Sequence, residues 1–227
     1  MGMISEMIDS LLELLNYVVL LLPALMSGLV ITLKVFVFTL VLSIPLGILV
    51  ALGRLSRLRL IQRLAQLYIW VVRGTPLLLQ LIFIFFGLPM VGIVFSRFNS
   101  VMIAFSLNYA AYYGEIFRGG IASIDRGQYE AAEMLGMSKQ QTFLRVILPQ
   151  VIKRTLPAVA NEVITLVKDT SLVYILGLSE LLRAAKIAAN RDVTLVPLVV
   201  AGAVYLILTA FFTKVLERLE DRYAYYE

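Results

Sequence analysis

The chain has 227 residues, of which 60% are hydrophobic and 15% charged, with a mean hydropathy of +0.90. That balance excludes an ordinary soluble globular domain. The formal charge of +5 is read as basic residues anchoring inner loops of a membrane protein, so no nucleic-acid partner is expected. With no cysteine and no histidine, neither a disulfide framework nor a metal site is expected. Four uncharged runs are long enough to approach or complete a bilayer crossing as helices: Val35 to Gly53, Gly74 to Ser96, Phe98 to Gly114 and Val193 to Thr213. Period-two alternation is absent, which argues against a transmembrane barrel. The expected class is an all-α polytopic membrane protein in contact with the lipid bilayer.

Residues 3–16 place Ile4, Ile8, Leu11, Leu12 and Leu15 on one helical face, with Ser5, Glu6, Asp9, Ser10 and Glu13 opposite. This predicts an interfacial amphipathic helix over 1–16, and its acidity suits the outer membrane face. The N-terminus lacks the basic region and small-residue cleavage site of a signal peptide. A first span is predicted over about 18–52, bent by Pro23, Gly28 and Pro45, with Lys34 snorkelling outward. Arg54, Arg57, Arg59 and Arg63 then mark the cytoplasmic side. The second span, about 65–88, carries Arg73-Gly74-Thr75-Pro76, where the proline removes a backbone donor and predicts a kink. A third span covers about 101–124 and returns to the cytoplasm at Arg118 and Arg126. A fourth runs over about 154–176, followed by an external amphipathic helix with Ser179 as N-cap. Its Arg183, Lys186 and Arg191 weaken the inside-positive count without reversing it. The fifth, about 193–217, ends inside with Lys214, Arg218 and Arg222. The prediction is therefore five spans in a single domain over 1–227, N-terminus outside and C-terminus cytoplasmic. No internal repeat is visible, which argues against repeat-built secondary transporters.

Between the third and fourth spans lies a polar island, QYEAAEMLGMSKQQTFLRVILPQ, from Gln128 to Gln150. Residues 128–137 predict a short helix of good formers in which Ala131 and Ala132 leave a flat patch for a partner surface. Gly136 suits the left-handed residue that ends a helix, Ser138 the cap of the next, and Leu148-Pro149 a helix-initiating turn. The order Glu130-Ala131-Ala132, Gly136, Leu148-Pro149 resembles the signature loop of inner-membrane permease subunits of ATP-binding-cassette importers. Val146 stands where isoleucine is usual. RGTPLLLQL (Arg73 to Leu81), AAYYGEIFRGGI (Ala110 to Ile121) and NEVITLVKDTSL (Asn161 to Leu172) extend the resemblance to the polar amino-acid branch, the histidine, arginine and glutamine permeases.

The resemblance implies a type I ABC importer permease fold in a prokaryotic plasma (inner) membrane. It implies paired membrane subunits, identical ones being favoured, on a dimer of cytoplasmic ATPases that hold ATP and magnesium, with an extracytoplasmic binding protein delivering cargo. The polar island corresponds to the coupling helix, with Tyr129, Glu130, Ala131, Ala132, Leu135 and Gly136 meeting the ATPase. The chain has no Walker A pattern, so it is expected to bind no cofactor and hydrolyse nothing itself.

Charged groups inside a span are costly, roughly 3 kcal/mol or more each, and mark a pathway or a pair. Asn108, Tyr112 and Glu115 fall on one stripe of the third span. Glu162, Thr165 and Asp169 do so on the fourth, with Asn161 and Lys168 alongside. Facing stripes with surplus carboxylates would make a pocket for an amino acid, cationic ones (arginine, lysine) above all. Plain structural readings stand beside this one. Glu115 is three residues from Arg118 and can pair with it, Lys168 and Asp169 can neutralise each other or meet Arg73, and Tyr109, Tyr112 and Tyr113 suit helix packing. Two other functions remain open: an ion-coupled secondary transporter needing no ATPase, or an ABC permease for another solute such as methionine.

Overall fold

The structure, a computed structural model, describes residues 2–224, so the ends of the predicted domain at residue 1 and residues 225–227 lie outside the described residues. So do the side chains of Ile4 and Ser5, two members of the predicted amphipathic faces. Among the described residues every regular element is helical.

Helix α1, Gly2–Arg54, is one unbroken helix of 53 residues containing both Pro23 and Pro45. At 1.5 Å per residue it is about 80 Å long, more than twice a bilayer's hydrocarbon thickness. The predicted interfacial helix is thus the first part of the same rod. No glycine or proline separates residue 16 from residue 18, and an established helix propagates cheaply through such a stretch. Residues 6–16 are exposed throughout, leaving their apolar face uncovered by this chain. Lys34 is exposed, as the snorkelling reading requires.

The predicted kink is a full break. Helix α2 (Arg59–Arg73) and helix α3 (Leu77–Ile82), the latter extended through a π turn and a 3-10 turn to Val91, meet at 101°. Helix α4, Arg97–Ala122, is capped by Ser96, whose hydroxyl accepts from the Asn99 N–H. It is the central post: Phe105, Tyr109 and Tyr113 are wholly or almost wholly buried. They pack with Val35 and Phe36 of α1, Leu77 and Leu81 of α3, and Leu166 and Val167 of the fourth-span helix. Two glycines let α1 and α4 touch backbone to backbone. A Cβ on Gly47 would lie 2.6 Å from Tyr113 Cβ, and one on Gly114 2.6 Å from Val50 Cγ1.

Helices α5 (Arg126–Met134) and α6 (Lys139–Thr142) form the polar island. A π turn over Phe143–Ile147 joins α6 to α7, Leu148–Asp169. Helix α7 starts at Leu148 with Pro149 in its first turn, where a missing N–H is tolerated, and the π turn leads directly into it. A 3-10 turn extends α7 to Leu176. Helix α8, Leu181–Asp192, is capped by Glu180 rather than Ser179. The Glu180 carboxylate accepts from the N–H groups of Leu182 (2.7 Å) and Arg183 (2.6 Å) and from the Tyr205 hydroxyl (2.9 Å), which satisfies a fully buried charge. Helix α9, Val196–Ala224, closes the bundle against α7 and α8. Among the described residues, two segments could cross a membrane by length and composition, Glu6–Arg54 and Val196–Tyr223, and the bent pair of α2 and α3 passes the same test taken together. Helices α4 and α7 are long enough but carry the polar stripes that lower their hydropathy.

Candidate functional site

The break after α2 is held open by its own hydrogen bonds. Pro76 has no N–H and sits in extended conformation (φ −62°, ψ 136°), so the helix stops and restarts. Gln80 satisfies the freed groups. Its Nε2 donates to the Val72 carbonyl (2.8 Å), the Thr75 carbonyl (3.2 Å) and Thr75 Oγ1 (2.8 Å), while its Oε1 accepts from Asn108 Nδ2 at 3.0 Å. One side chain of α3 thus ties the break to α4. Backbone irregularity in a membrane protein persists where such partners, or a lined cavity, take up the freed groups.

Both conditions are met, because the break lines a cavity of about 540 Å³. The break supplies Arg73 and Thr75, α4 supplies Asn108, Tyr109 and Tyr112, and α7 supplies Glu162, Thr165 and Asp169. The volume lies in the range of small-molecule sites. The two predicted stripes do face each other here, with two departures. Asn161 is exposed on a neighbouring face of α7 and lines neither this cavity nor the next. Glu115 lies about a turn beyond Tyr112 and lines a second cavity, of about 400 Å³, with Arg54, Gln66 and Trp70. There Arg118 grips it with two nitrogens, Nε lying 3.0 Å from Oε2, so the pairing with Arg118 is the arrangement present.

Arg73 changes the electrostatics of the first cavity. Its guanidinium carbon stands 5.0 Å from the centre of the Tyr112 ring, a cation–π contact, and it makes no ion pair among the described residues. A guanidinium with no close ion pair among the described residues therefore shares the cavity with two carboxylates. Tyr109 is both packing and wall: its ring is buried, and its hydroxyl donates to Asp169 Oδ2 at 2.8 Å. Arg73, Thr75 and Tyr109 were not singled out as site residues from the sequence. The signal was the charged residue immediately before Gly-Thr-Pro, since a helix break aims its last side chain into the space that it opens.

The polar island takes the predicted local form with one reversal. Asp125 caps α5, its carboxylate accepting from Gly127 N–H. Gly136 adopts φ 73°, and the bonds Met137 N–H to Ala132 O (3.1 Å) and Gly136 N–H to Glu133 O (2.9 Å) make a Schellman ending. Ser138 and Gln141 form a reciprocal capping box for α6. Tyr129, Glu130, Ala131, Leu135 and Gly136 are exposed, but Ala132 is buried at 2% and packs inward. The expected flat alanine patch is therefore halved. Met134 and Leu135 stand out at 90% and 81% exposure, an apolar tip that this chain leaves uncovered. The island is tied to the cavity helices: Gln150 of α7 donates to Gln128 Oε1 (3.0 Å), and Arg154 of α7 donates to the Ser123 carbonyl at the end of α4.

Residues 43–225 match the model of the family described as binding-protein-dependent transport system inner membrane component. The chain belongs to this family. It is thus a membrane component of a transport system, and its relatives are permeases. The arginine transport system permease protein ArtQ of Bacillus subtilis is 39% identical over 202 residues, covering 88% of this chain and 92% of that one. The L-cystine permease protein TcyB of the same organism is 38% identical, with 88% of each chain covered. A putative glutamine permease protein GlnP of Rickettsia conorii is 36% identical over 85% of this chain and 90% of its own. The crystal structure of an amino acid ABC transporter with histidines superposes with a TM-score of 0.84 at 36% identity, covering 93% of this permease and 97% of that chain. A methionine ABC transporter, MetNI, in inward-facing form shares the fold, with a TM-score of 0.69 at 18% identity, covering 88% of this chain and 96% of its own.

Proposed function

We propose that this permease is the membrane-spanning subunit of an ATP-driven amino-acid importer, with cationic and polar amino acids as cargo. The cavity at the α2–α3 break is the observation that carries this reading. An α-carboxylate matches the Arg73 fork, an α-ammonium matches Glu162 or Asp169, and the remaining carboxylate favours a cationic side chain. Permease relatives named for arginine, cystine and glutamine support the amino-acid class. In this reading five segments span the membrane, with the N-terminus outside and the C-terminus in the cytoplasm. Two copies work together, a binding protein delivers cargo outside, and α5 with its exposed Met134-Leu135 tip seats in a cytoplasmic ATPase that holds ATP and magnesium. Closure of the ATPase dimer moves α5, and the Gln128–Gln150 and Ser123–Arg154 links carry that movement to α4 and α7, the two walls of the cavity.

Reconstitution with its partner ATPase and binding protein, followed by uptake of a panel of labelled amino acids into proteoliposomes, tests the proposal. The expected result is uptake that needs ATP in the lumen and is strongest for arginine or lysine. Uptake at full rate without nucleotide, driven by an ion gradient, would replace it with secondary transport; uptake of methionine alone would change the cargo.

A further inference from the structure

The two cavities share one wall. Arg73, Gly74 and Tyr112 line both, with the Arg73 guanidinium resting on the Tyr112 ring as a partition. Across it the charge balance reverses. The first cavity sets Glu162 and Asp169 against Arg73. The second sets Arg54 and Arg73 against Glu115, whose carboxylate is already taken by Arg118.

Arg54 is the informative residue. It is the last residue of α1 and enters the second cavity with Nη1 3.4 Å from Gln66 Oε1, a long and weak contact. Its Nε is buried and has no hydrogen-bond partner. A buried donor on a permanently charged group calls for an acceptor. Gln66 offers only a neutral one, and Glu115 is turned to Arg118. The acceptor that a guanidinium fits best is a carboxylate, which can take two of its N–H groups together. Trp70, 72% exposed, borders the same space and supplies an apolar flank for the rest of a small ligand.

We propose that the second cavity is a release subsite for the substrate's α-carboxylate, held by Arg54 across from Arg73, so that a transported amino acid passes the Arg73–Tyr112 partition carboxylate-first. This rests on the reading of the first cavity as the amino-acid site. Arg54 opens the basic stretch of Arg57, Arg59 and Arg63, and Arg118 lies at the end of α4 that leads into the polar island, so the second cavity is on the cytoplasmic side of the first. The carboxylate moves from one guanidinium to the next while the ammonium leaves the acidic residues behind it. The subsite therefore takes α-amino acids of many side chains, and it does not take amines or carboxamides that lack the carboxylate.

The test uses the intact permease–ATPase complex in proteoliposomes with its binding protein outside and ATP in the lumen, the lumen standing for the cytoplasm. Arg54→Gln should slow labelled-arginine uptake about tenfold or more, the factor carried by one charge-assisted hydrogen bond, and Arg54→Lys should restore part of it. Equilibrium binding of labelled arginine to the solubilised complex should stay within about twofold, because the first cavity is untouched. Unlabelled arginine loaded into the lumen should slow wild-type uptake by reoccupying the subsite, whereas argininamide should not, and Arg54→Gln should be insensitive to both. Wild-type rates in Arg54→Gln, or equal inhibition by lumenal arginine and argininamide in the wild type, would overturn the subsite. Should Arg54→Gln fail to assemble, the arginine–argininamide comparison on the wild type decides alone. A wild-type complex that neither binds nor moves any amino acid would remove the first-cavity reading and this one together; one that transports arginine with no carboxylate selectivity from the lumen removes only this one.

Discussion

Replacing Gln80 by leucine should damage the cavity although Gln80 itself does not line it. Gln80 makes three donor contacts to the α2–α3 break and accepts one bond from Asn108. Asn108 is 4% exposed, so leucine strands a buried amide donor, a cost of roughly 1–3 kcal/mol. Loss of the bonds to the Val72 and Thr75 carbonyls adds about 1 kcal/mol net, for a total of roughly 2–4 kcal/mol. The break would then relax, and Arg73, the residue before Gly74-Thr75-Pro76, would lose its fixed direction. The expected result is a lower melting temperature of the detergent-solubilised permease together with arginine binding weakened at least tenfold, since a misplaced guanidinium no longer meets its carboxylate. Gln80→Glu sharpens the test. It still accepts from Asn108, yet it turns a carboxylate toward two carbonyls, so it should be worse than leucine at the break and milder at Asn108. A Gln80→Leu permease with wild-type melting and wild-type affinity would refute the reasoning, because the staple would then carry neither structure nor site.

Gly136→Leu should uncouple the complex. Its φ of 73° costs a side-chain-bearing residue about 1–2 kcal/mol, enough to reset the ending of α5, so stimulated uptake should fall while arginine binding to the permease persists. Glu162→Gln should weaken cationic substrates more than neutral ones in competition binding, by about tenfold for one lost charged contact, and equal losses for arginine and glutamine would refute a contact with the cationic side chain and leave Glu162 only the α-ammonium that both share. The carboxyl of Asp192, gripped by Arg191 and accepting from the Tyr17 hydroxyl at 2.6 Å, is held down from its usual 3.8 to about 2. Because that value is depressed in the folded state, its contribution is complete above about pH 4 and is lost as pH falls toward 2. Tyr17→Phe should accordingly raise the Asp192 titration seen by carboxyl NMR, and an unmoved titration would discount the α1–α8 contact.

Much of the site could be read one residue at a time. The stripes Asn108–Tyr112 and Glu162–Thr165–Asp169 follow from helical spacing alone, and they do face one cavity. Two other expected site residues, Glu115 on the first stripe and Asn161 alongside the second, do not line that cavity. Glu115 sits near the far end of its stripe, where the wall turns into the second cavity, and Asn161 lies on a neighbouring face that projects outward. Periodicity gives the phase of a residue around its own axis. It does not say how far along that axis the neighbouring helix stays in contact. The polar island shows the same limit, since both alanines looked available for docking and packing turned Ala132 inward.

The sequence by itself determined the all-helical membrane class, the apolar runs, the Gly136 helix ending and Ser138 cap of the polar island, and the placing of Glu162 and Asp169 on one helical stripe. These follow from composition, period and local hydrogen-bonding chemistry, which act within a few residues. Only the tertiary structure decided that α1 is one rod of 53 residues, that Gly74-Thr75-Pro76 turns the chain by 101°, and that Arg73 shares a cavity with Glu162 and Asp169. Those outcomes rest on contacts between residues far apart in the chain, such as Gln80 with Asn108 and Tyr109 with Asp169. A break angle and a shared cavity are properties of the packed helices, and no single helix carries them.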